Sequence, residues 1–544
     1  MSTPIRHAVD ILVDDAPAHL GALSYLVPAA MDLYPGDAVH VPFGKAERHG
    51  VVLGHPSNAS AATREVISVW GQRIDPLDLD VAREVAETHF CPFAQIASRL
   101  SPRSDRNAAP LASGPVALLP RSDLPLPAHS ALRRLYLRSP MQDPARIAAL
   151  EAERLTRDRK GQVLILAPTV ELLERTLAEF TSGALRLDTK AKAGAWPGFR
   201  AGAVTVGIGT RTAALYSARD LAGIVVIDEE HPGHEESQLP YTHAARIAAQ
   251  RATAHNCALS LISANPSPSA LSGKVKVISL TSAADWPNVT IIDKTALAPD
   301  ARQLPDVVPR MIEKAKKANR EVIAICQSAP AKRICVVCKS ARACEGCKDP
   351  LCVTHPLDTP CARCGDMRTK LVGWDKQRLS ALLKIPAYTF AELDLLPTMD
   401  RTVILLDVDG IIDAAKFDPT SFFSALTLRA IAAAGSRGEF IVGTSNPHHE
   451  LISLLSERDQ LGFAKLAWEQ AKLAALPPFG RLVTIRVKRP SAPKVLDWPG
   501  KVAGPARKGD EWEYLIRIET KDLPLLAKPV ERLRKSGQLR VWVK

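Results

Sequence analysis

The chain has 544 residues, too many for one hydrophobic core, so roughly three to five domains are expected. Its hydrophobic content of 46% excludes a disordered chain, and its net charge of +12 favours a polyanionic partner, chiefly nucleic acid, over a small neutral substrate. The sequence contains no apolar run of membrane-spanning length and its first residues lack a secretory signal pattern. We therefore expect a cytoplasmic protein without a membrane partner.

The first 100 residues predict a small β-rich domain. Alternating apolar residues at 23–28 and 38–43 are typical of strands, and a turn signal lies between them. A helical stretch follows near 79–97. Residues 101–128 are rich in Pro, Ser, Ala and Arg, which predicts a linker.

From residue 129 the pattern changes to buried strands that alternate with helices such as 170–180, which indicates parallel α/β sheets. The strands fall into two groups, so we predict one lobe at 129–285 and a second at 286–330 and 369–460. A Cys-rich insert at 331–368 interrupts the second lobe. The predicted strands are 163–167, 204–208, 224–227, 259–263, 289–292, 321–326 and 403–406.

The C-terminal segment, residues 461–544, returns to strands, predicted at 482–487, 512–518 and 539–543, and is expected to form an α+β domain. It contains 18 Lys/Arg and 8 Asp/Glu, so its net charge is +10, which is most of the net charge of +12 of the chain. This concentration favours a DNA-binding face over a merely solvated surface. Core packing is the favoured interpretation of Trp512 and Tyr514, and stacking on bases is the alternative.

The insert contains four ligand pairs, each separated by two residues. A two-residue spacing lets a tight turn direct both side chains at one ion, and four such soft or borderline ligands suit Zn²⁺. Eight ligands make two closed sites, which are structural rather than catalytic. The pairs are Cys335 and Cys338, Cys344 and Cys347, Cys352 and His355, and Cys361 and Cys364.

Three points about the insert stay open. An iron–sulfur cluster is the alternative to zinc. Cys352 and His355 form the one pair whose spacing could be incidental. The spacing does not fix which pairs share an ion, although an interleaved arrangement, with the outer pairs on one ion and the inner pairs on the other, is plausible.

An acidic motif, Asp228-Glu229-Glu230-His231, follows a predicted buried strand. In nucleotide-hydrolysing α/β proteins such carboxylates hold Mg²⁺ and polarise the attacking water, but they act with a phosphate-binding loop of the form G-x-x-x-x-G-K-[ST]. The chain contains no such loop. At the corresponding place, residues 135–144, it has prolines and an aspartate. Proline has no N–H to donate to a phosphate, and the carboxylate of the aspartate repels one. The motif is therefore interpreted as a relic or a structural capping cluster, and ATP binding is doubtful.

Together these residues resemble PriA, also called primosomal protein N-prime, a family of superfamily 2 helicases that restart stalled forks. The resemblance covers nearly the whole chain in order, and the paired-zinc insert between two helicase-type lobes is its most specific part. The matching blocks are 25–28 and 41–45 in the domain that binds a DNA 3′ end, 206–215, 228–231, 241–246, 263–267, 405–410, 476–479 and 502–505.

The departures from the family matter as much. The phosphate loop is absent, residues 430–435 have no arginine where the family has its arginine finger, and the winged-helix segment is replaced by the linker. In the 3′-end pocket the family has an aspartate directly before the Tyr-Leu-Val-Pro block, where this chain has Ser24. His355 stands where the family has a cysteine. These losses are similar to the shortened form found in high-GC Gram-positive bacteria.

The resemblance implies a replication-restart protein with two structural Zn²⁺ ions. Its expected partners are stalled or abandoned forks, D-loops and single-stranded DNA, together with primosome proteins and the replicative helicase. A monomer is expected. The two helicase-type lobes would be degenerate, without helicase activity, and the alternative is an active ATP-dependent 3′–5′ DNA helicase.

Overall fold

The structure is a computed structural model. The residues that it describes are 7–14, 16, 21–56, 62–70, 73–100, 108–121, 126–127, 130–238, 241–297, 304–326, 332–338, 340–342, 359–372, 376–390, 392–393, 396, 399–413, 418–488, 498–508, 510–535 and 539–544.

The chain forms two compact units. Unit 1 comprises Met1–Arg138, Asp143–Leu280 and Trp468–Lys544, and unit 2 comprises Ser139–Gln142 and Thr281–Ala467. Each unit is described by itself.

The N-terminal part of unit 1 contains an antiparallel five-stranded sheet with the strand order β2-β1-β4-β3-β5. Two helices follow the sheet. The strands are β1 (Ala8–Val13), β2 (Leu23–Leu26), β3 (Ala38–Phe43), β4 (Ala46–Gly54) and β5 (Ser68–Val69), and the helices are α1 (Pro76–Thr88) and α2 (Phe93–Ala97).

The single helix predicted near 79–97 is therefore two helices. Asp75 caps α1 by accepting a hydrogen bond from the N–H of Leu77 at 2.9 Å, and Pro76 occupies the first helical position, where its missing N–H costs nothing. Pro92 cannot continue a helix, so α1 ends before it and α2 begins after it.

The segment predicted as a linker is partly folded against the following lobe. Strand β6 (Ala117–Leu118) lies within it, and three of its backbone N–H groups donate to lobe carbonyls. The donors are Leu111 to Gly194 at 2.9 Å, Ser113 to Ala203 at 2.9 Å and Leu119 to Glu179 at 2.8 Å. These bonds satisfy backbone groups that composition alone assigned to solvent.

The rest of this lobe is a seven-stranded parallel sheet with the order β10-β11-β8-β12-β13-β7-β14, and separate apolar clusters cover its two faces. The predicted helix 170–180 ends at Ala178, because Phe180 begins a short strand that pairs with β6. The strands are β7 (Arg133–Leu137), β8 (Gln162–Leu166), β9 (Phe180–Ser182), β10 (Ala184–Arg186), β11 (Val206–Gly209), β12 (Leu221–Ile227), β13 (Ala258–Ser263) and β14 (Lys276–Ser279). The helices are α3 (Pro144–Arg159), α4 (Val170–Ala178), α5 (Ala195–Arg200) and α6 (Ala244–Ala254).

Unit 2 contains a second parallel sheet with the order β15-β22-β21-β16-β20, and a small antiparallel sheet with the order β18-β17-β19 in the Cys-rich insert. The strands are β15 (Asn288–Asp293), β16 (Glu321–Cys326), β17 (Lys332–Cys335), β18 (Ala341–Arg342), β19 (Thr369–Val372), β20 (Ala387–Thr389), β21 (Arg401–Leu405) and β22 (Glu439–Thr444). The helices are α7 (Val307–Lys317), α8 (Lys376–Leu383), α9 (Asp409–Ile412), α10 (Pro419–Ala434) and α11 (Glu450–Glu457). Helix α12 (Gln460–Leu473) begins in unit 2 and ends in the C-terminal segment of unit 1.

The C-terminal part of unit 1 is an antiparallel sheet with the order β24-β25-β23-β26, covered by helix α13 (Ala527–Lys535). Tyr514 is 0% exposed and packs in the core of this domain, which confirms the favoured interpretation, core packing, over base stacking. Trp512 is half-buried at the edge of the same cluster. The strands are β23 (Arg481–Val487), β24 (Lys501–Lys508), β25 (Glu511–Ile518) and β26 (Leu539–Val543).

The predicted fold class, an α/β multidomain chain with a β-rich N-terminal domain, is confirmed. No helix within the described ranges has the length and apolar character to cross a membrane.

Candidate functional site

The acidic motif lies at the carboxyl edge of the seven-stranded sheet. Strand β12 is a central strand between β8 and β13, all of its residues are buried, and Asp228 follows it directly. In open α/β sheets this edge is where ligands bind. The motif is therefore placed where a nucleotide site belongs, and the partners of its side chains decide what it can do.

Asp228 already has a cationic partner. The guanidinium of Arg138, the residue after β7, donates to Oδ1 of Asp228 from Nε at 3.1 Å and from Nη2 at 2.8 Å. The two side chains are only 11% and 14% exposed. A fixed guanidinium thus neutralises the carboxylate that would hold Mg²⁺, at short range and in a largely buried setting.

The next two carboxyl groups are also engaged. Glu229 accepts hydrogen bonds from the N–H of Ser267 at 2.7 Å and from its hydroxyl at 2.9 Å, and burial raises the pKa of Glu229 to about 7. Glu230 accepts from the hydroxyl of Ser263 at 2.7 Å, and burial together with the charge of Asp228 raises its pKa well above the ordinary range. Both groups thus brace the chain that follows β13.

The histidine of the motif has a local structural role. Nδ1 of His231 accepts a hydrogen bond from the N–H of Gly233 at 2.9 Å and so caps the turn at Pro232–His234. His234 then binds the carbonyl of Ile227 through Nε2 at 2.8 Å, and burial lowers the pKa of His234 to about 4.

The helix N-terminus next to this edge is capped by its own chain. In phosphate-binding proteins the free N–H groups of such a helix hold an anion. Here Asp143 accepts from the N–H of Ala145 at 3.0 Å, and Pro144 at the first helical position has no N–H. A carboxylate thus occupies the place of a phosphate, and Arg175 pairs with it at 2.8 Å.

The second candidate site is a cluster of four cysteines in the insert. Cys335 ends β17 and Cys338 lies in the turn that follows, and Cys361 and Cys364 lie at the turn before β19. Their sulfur atoms all lie within 4.8 Å of one another. Sγ of Cys335 is 3.5 Å from Sγ of Cys364, and Sγ of Cys338 is 3.5 Å from Sγ of Cys361.

The cluster has the chemistry of a closed metal site. Four thiolates around one Zn²⁺, each at about 2.3 Å, lie about 3.8 Å apart in a tetrahedron, close to the spacing found here. The Ser340 hydroxyl lies 3.0 Å from Sγ of Cys338 and 3.2 Å from Sγ of Cys361, and it can donate its single proton to only one of them at a time. Hydrogen bonding with Ser340 lowers the pKa of both thiols, to about 5 for Cys361, whereas desolvation and the neighbouring thiols raise the pKa of Cys364. These four cysteines could therefore hold a metal ion, consistent with zinc.

The structure thus brings together four of the eight predicted ligands, the two outer pairs. The other four, Cys344, Cys347, Cys352 and His355, lie outside the described residues.

The N-terminal domain contains a carboxylate that the sequence analysis did not single out. Ser24 in β2 pairs with Asp10 in β1, and the Ser24 hydroxyl donates to Oδ1 of Asp10 at 2.6 Å. A carboxylate thus lies beside the Tyr-Leu-Val-Pro block although Ser24 itself has none. The sequence alone does not predict this contact, because Asp10 and Ser24 are 14 positions apart and meet only through the register of β1 and β2.

Comparison with known families agrees with the resemblance. Residues 10–102 match the family described as the 3′ DNA-binding domain (3′BD) of PriA. This match confirms the predicted resemblance to PriA in the N-terminal domain, at residues 10–102 of the 544-residue chain.

Among solved structures, helicases overlay loosely. The Mycobacterium smegmatis helicase Lhr bound to ssDNA and AMP-PNP is 14% identical with a TM-score of 0.30, over 61% of this chain and 46% of its own. The Escherichia coli DEAH/RHA helicase HrpB is 13% identical with a TM-score of 0.30, over 64% of this chain and 49% of its own. The match thus spans about half the length of these helicases, and overlays this loose assign no activity.

Proposed function

We propose that this protein is a replication-restart factor that binds stalled or abandoned forks and D-loops. It promotes primosome assembly and loading of the replicative helicase without acting as a helicase itself. The observation that carries the DNA-binding part is the match of residues 10–102 to the 3′ DNA-binding domain. The basic C-terminal domain adds phosphate contacts, which are largely independent of sequence and suit a protein that recognises DNA by shape.

The closed state of the acidic motif supports the absence of a motor. ATP hydrolysis needs a metal-binding carboxylate and a loop of amides around the phosphates. Here Arg138 occupies the carboxylate of Asp228, and Asp143 with Pro144 leaves the neighbouring helix N-terminus unattractive to an anion. We infer that the two α/β lobes have a structural role and do not act as a motor driven by nucleotide hydrolysis.

The insert completes the proposal with two structural zinc ions. Cys335, Cys338, Cys361 and Cys364 hold the first ion, and the four predicted ligands of the inner pairs hold the second. When bound, zinc supplies folding energy to a segment too short to build an apolar core. Metal analysis tests the number directly, since one ion per chain would remove the inner site.

The 3′-end pocket is proposed to work with Asp10 in place of the family aspartate. Its carboxylate, held by Ser24, accepts a hydrogen bond from a terminal 3′-hydroxyl. Asp10→Asn is expected to reduce the preference for forks with a free 3′-hydroxyl over forks with a 3′-phosphate, with Ser24→Ala a milder loss. An unchanged preference in Asp10→Asn would remove this role.

The proposed function is tested with purified protein, forked DNA and ATP. We expect tight fork binding that weakens steeply with salt, and no DNA-stimulated ATPase. The alternative, an active 3′–5′ helicase, predicts ATP hydrolysis that disappears in Asp228→Ala. Such an activity would overturn the proposal, whereas hydrolysis that persists in that variant identifies a contaminating enzyme.

A further inference from the structure

We propose that unit 2 has its own DNA-binding surface, formed by the outward side of α7 and the neighbouring α8, which contacts the phosphates of duplex DNA. Its centre is a basic ridge that we define as Arg310, Lys314 and Lys317. This inference rests on the proposed function and deepens it, because it assigns part of the DNA footprint to residues outside the N-terminal and C-terminal domains.

The ridge lies on the side of α7 that faces away from the core. Val308, Ile312 and Ala315 form the buried face of α7 and pack on the sheet of unit 2. Residues four and three positions apart share one side of a helix, so Arg310, Lys314 and Lys317 lie together on the side opposite to that buried face. All three ridge residues are exposed.

Helix α8 extends the positive surface. Its Leu379 and Leu383 belong to the same apolar cluster as Val308 and Ile312, so α7 and α8 cover the same face of the sheet. Residues 304–320 and 376–390 together contain eight Lys/Arg and two Asp/Glu. Lys376 already pairs with Glu392 at 2.6 Å, just outside these ranges, so the surplus lies mainly on and beside α7, where residues 304–320 have five Lys/Arg and two Asp/Glu.

The ridge cations have no ion-pair partner among the described residues. Many other cations in the structure do, such as Arg154 with Glu151 at 2.8 Å and Arg186 with Asp188 at 2.5 Å. Favourable interaction with the helix dipole accounts for lysines in the last turn, but it disfavours Arg310 near the first turn.

The dimensions of the ridge suit a nucleic-acid backbone. Seven residues of helix span about 10 Å, and one DNA strand has a phosphate about every 3.4 Å along its axis. Each of the three cations can therefore meet a separate phosphate. Arginine and lysine at such spacing supply sequence-independent affinity, which is what a protein that recognises fork shape requires.

The test compares full-length wild type with the triple variant Arg310→Gln, Lys314→Gln and Lys317→Gln. The matched control replaces three exposed lysines of unit 1, Lys190, Lys192 and Lys276, by glutamine. Binding of forked and blunt duplex DNA is followed by fluorescence anisotropy over a range of salt. Loss of three phosphate contacts lowers the slope of log affinity against log salt concentration by about 2 to 3, whereas the control retains the wild-type slope.

The outcomes separate the two proposals. Wild type that fails to bind any DNA overturns the proposed function. Wild type that binds DNA with a slope equal to that of the triple variant overturns the ridge alone. A triple variant that keeps DNA binding but loses polyglutamate binding reassigns the ridge to an acidic protein, which also overturns the inference. Unchanged thermal melting of the triple variant excludes misfolding as the cause of a loss.

Discussion

The acidic strand end of unit 1 and the cysteine cluster of unit 2 are both groups of potential metal ligands, but they differ in the partners that the protein supplies to them. At the strand end Arg138, Ser263 and Ser267 partner the carboxylates of the motif. In the cluster the thiols of Cys335 and Cys338 approach those of Cys364 and Cys361.

The carboxyl groups of the acidic motif already have partners within the protein, whereas the four thiols converge on a space that a metal ion could fill. A carboxylate with a fixed guanidinium gains little from a cation, because the two positive charges repel each other. Four thiols held within reach of one point gain a large binding free energy from Zn²⁺. Acidic residues at a strand end therefore do not by themselves indicate a metal site, whereas four converging thiols without a built-in counter-ion are consistent with one.

The largest expected effect comes from disrupting the cysteine cluster. Cys335→Ser removes one of four zinc ligands, and because structural zinc sites contribute about 10–16 kcal/mol of binding free energy, the variant should lose one zinc ion per chain. Metal analysis of the purified protein measures this loss. Cys326→Ser is the matched control, since Cys326 is buried but lies outside the cluster, and equal zinc content in both variants would contradict the assignment.

The next largest effect comes from disrupting the ion pair at the acidic motif. Arg138→Ala leaves Asp228 without its counter-charge in a largely buried setting, which should cost about 3 kcal/mol of stability. Urea unfolding, together with hydrogen exchange of the amides of β7 and β12, measures the loss. The exposed pair of Arg219 and Asp220, at 3.8 Å, provides the control: Arg219→Ala should cost less than about 1 kcal/mol. Equal costs would show that Arg138 adds no more than a surface charge.

A smaller effect depends on pH. Burial raises the pKa of Glu229 to about 7 in the folded protein, above the ordinary 4.5, so its contribution to stability is present below pH 4.5 and is lost as the pH rises to 7. Glu229→Gln keeps the shape without the charge. The variant should match wild type at pH 4 and exceed it by roughly 1–3 kcal/mol at pH 8, measured by urea unfolding. Glu235→Gln, at an exposed position, should not change the profile, and a parallel profile for Glu229→Gln would refute the burial argument.

The smallest effect concerns the helix cap. Asp143→Ala removes the acceptor for the N–H of Ala145 and should cost about 1 kcal/mol. It should not restore nucleotide hydrolysis, because the loop that would surround the phosphates is still missing. Thermal melting and an ATPase assay measure the two parts, and any gain of hydrolysis would reopen the interpretation of this helix end. Arg175→Ala, which removes only the exposed partner of Asp143, is the matched control.

Local patterns were enough to predict many of the elements. The strand predicted at 321–326 has those limits, because a continuous β-branched and apolar run is bounded by turn residues. The strand at 539–543 also matches. The helix near 79–97 was mispredicted as one element because the apolar periodicity continues across Pro92, which interrupts the backbone hydrogen bonds but not the pattern.

The contacts that determine the sites are nonlocal and could not be read from spacing. Arg138 and Asp228 are 90 positions apart and meet only because β7 and β12 flank β13 in one parallel sheet. Asp10 reaches Ser24 only through antiparallel register. The cysteines were accessible from sequence because the two-residue spacing is itself the geometry of a ligand turn, whereas their pairing across the insert is a property of the fold.

The insert begins and ends at neighbouring points, since Lys332 at the start of β17 pairs with Val372 at the end of β19. A module whose first and last strands lie side by side can unfold and refold without displacing the strands of the main sheet of unit 2. Chelation should therefore behave as a reversible local switch, and transplanting this small ribbon into another protein needs only a site where two chain ends already lie side by side.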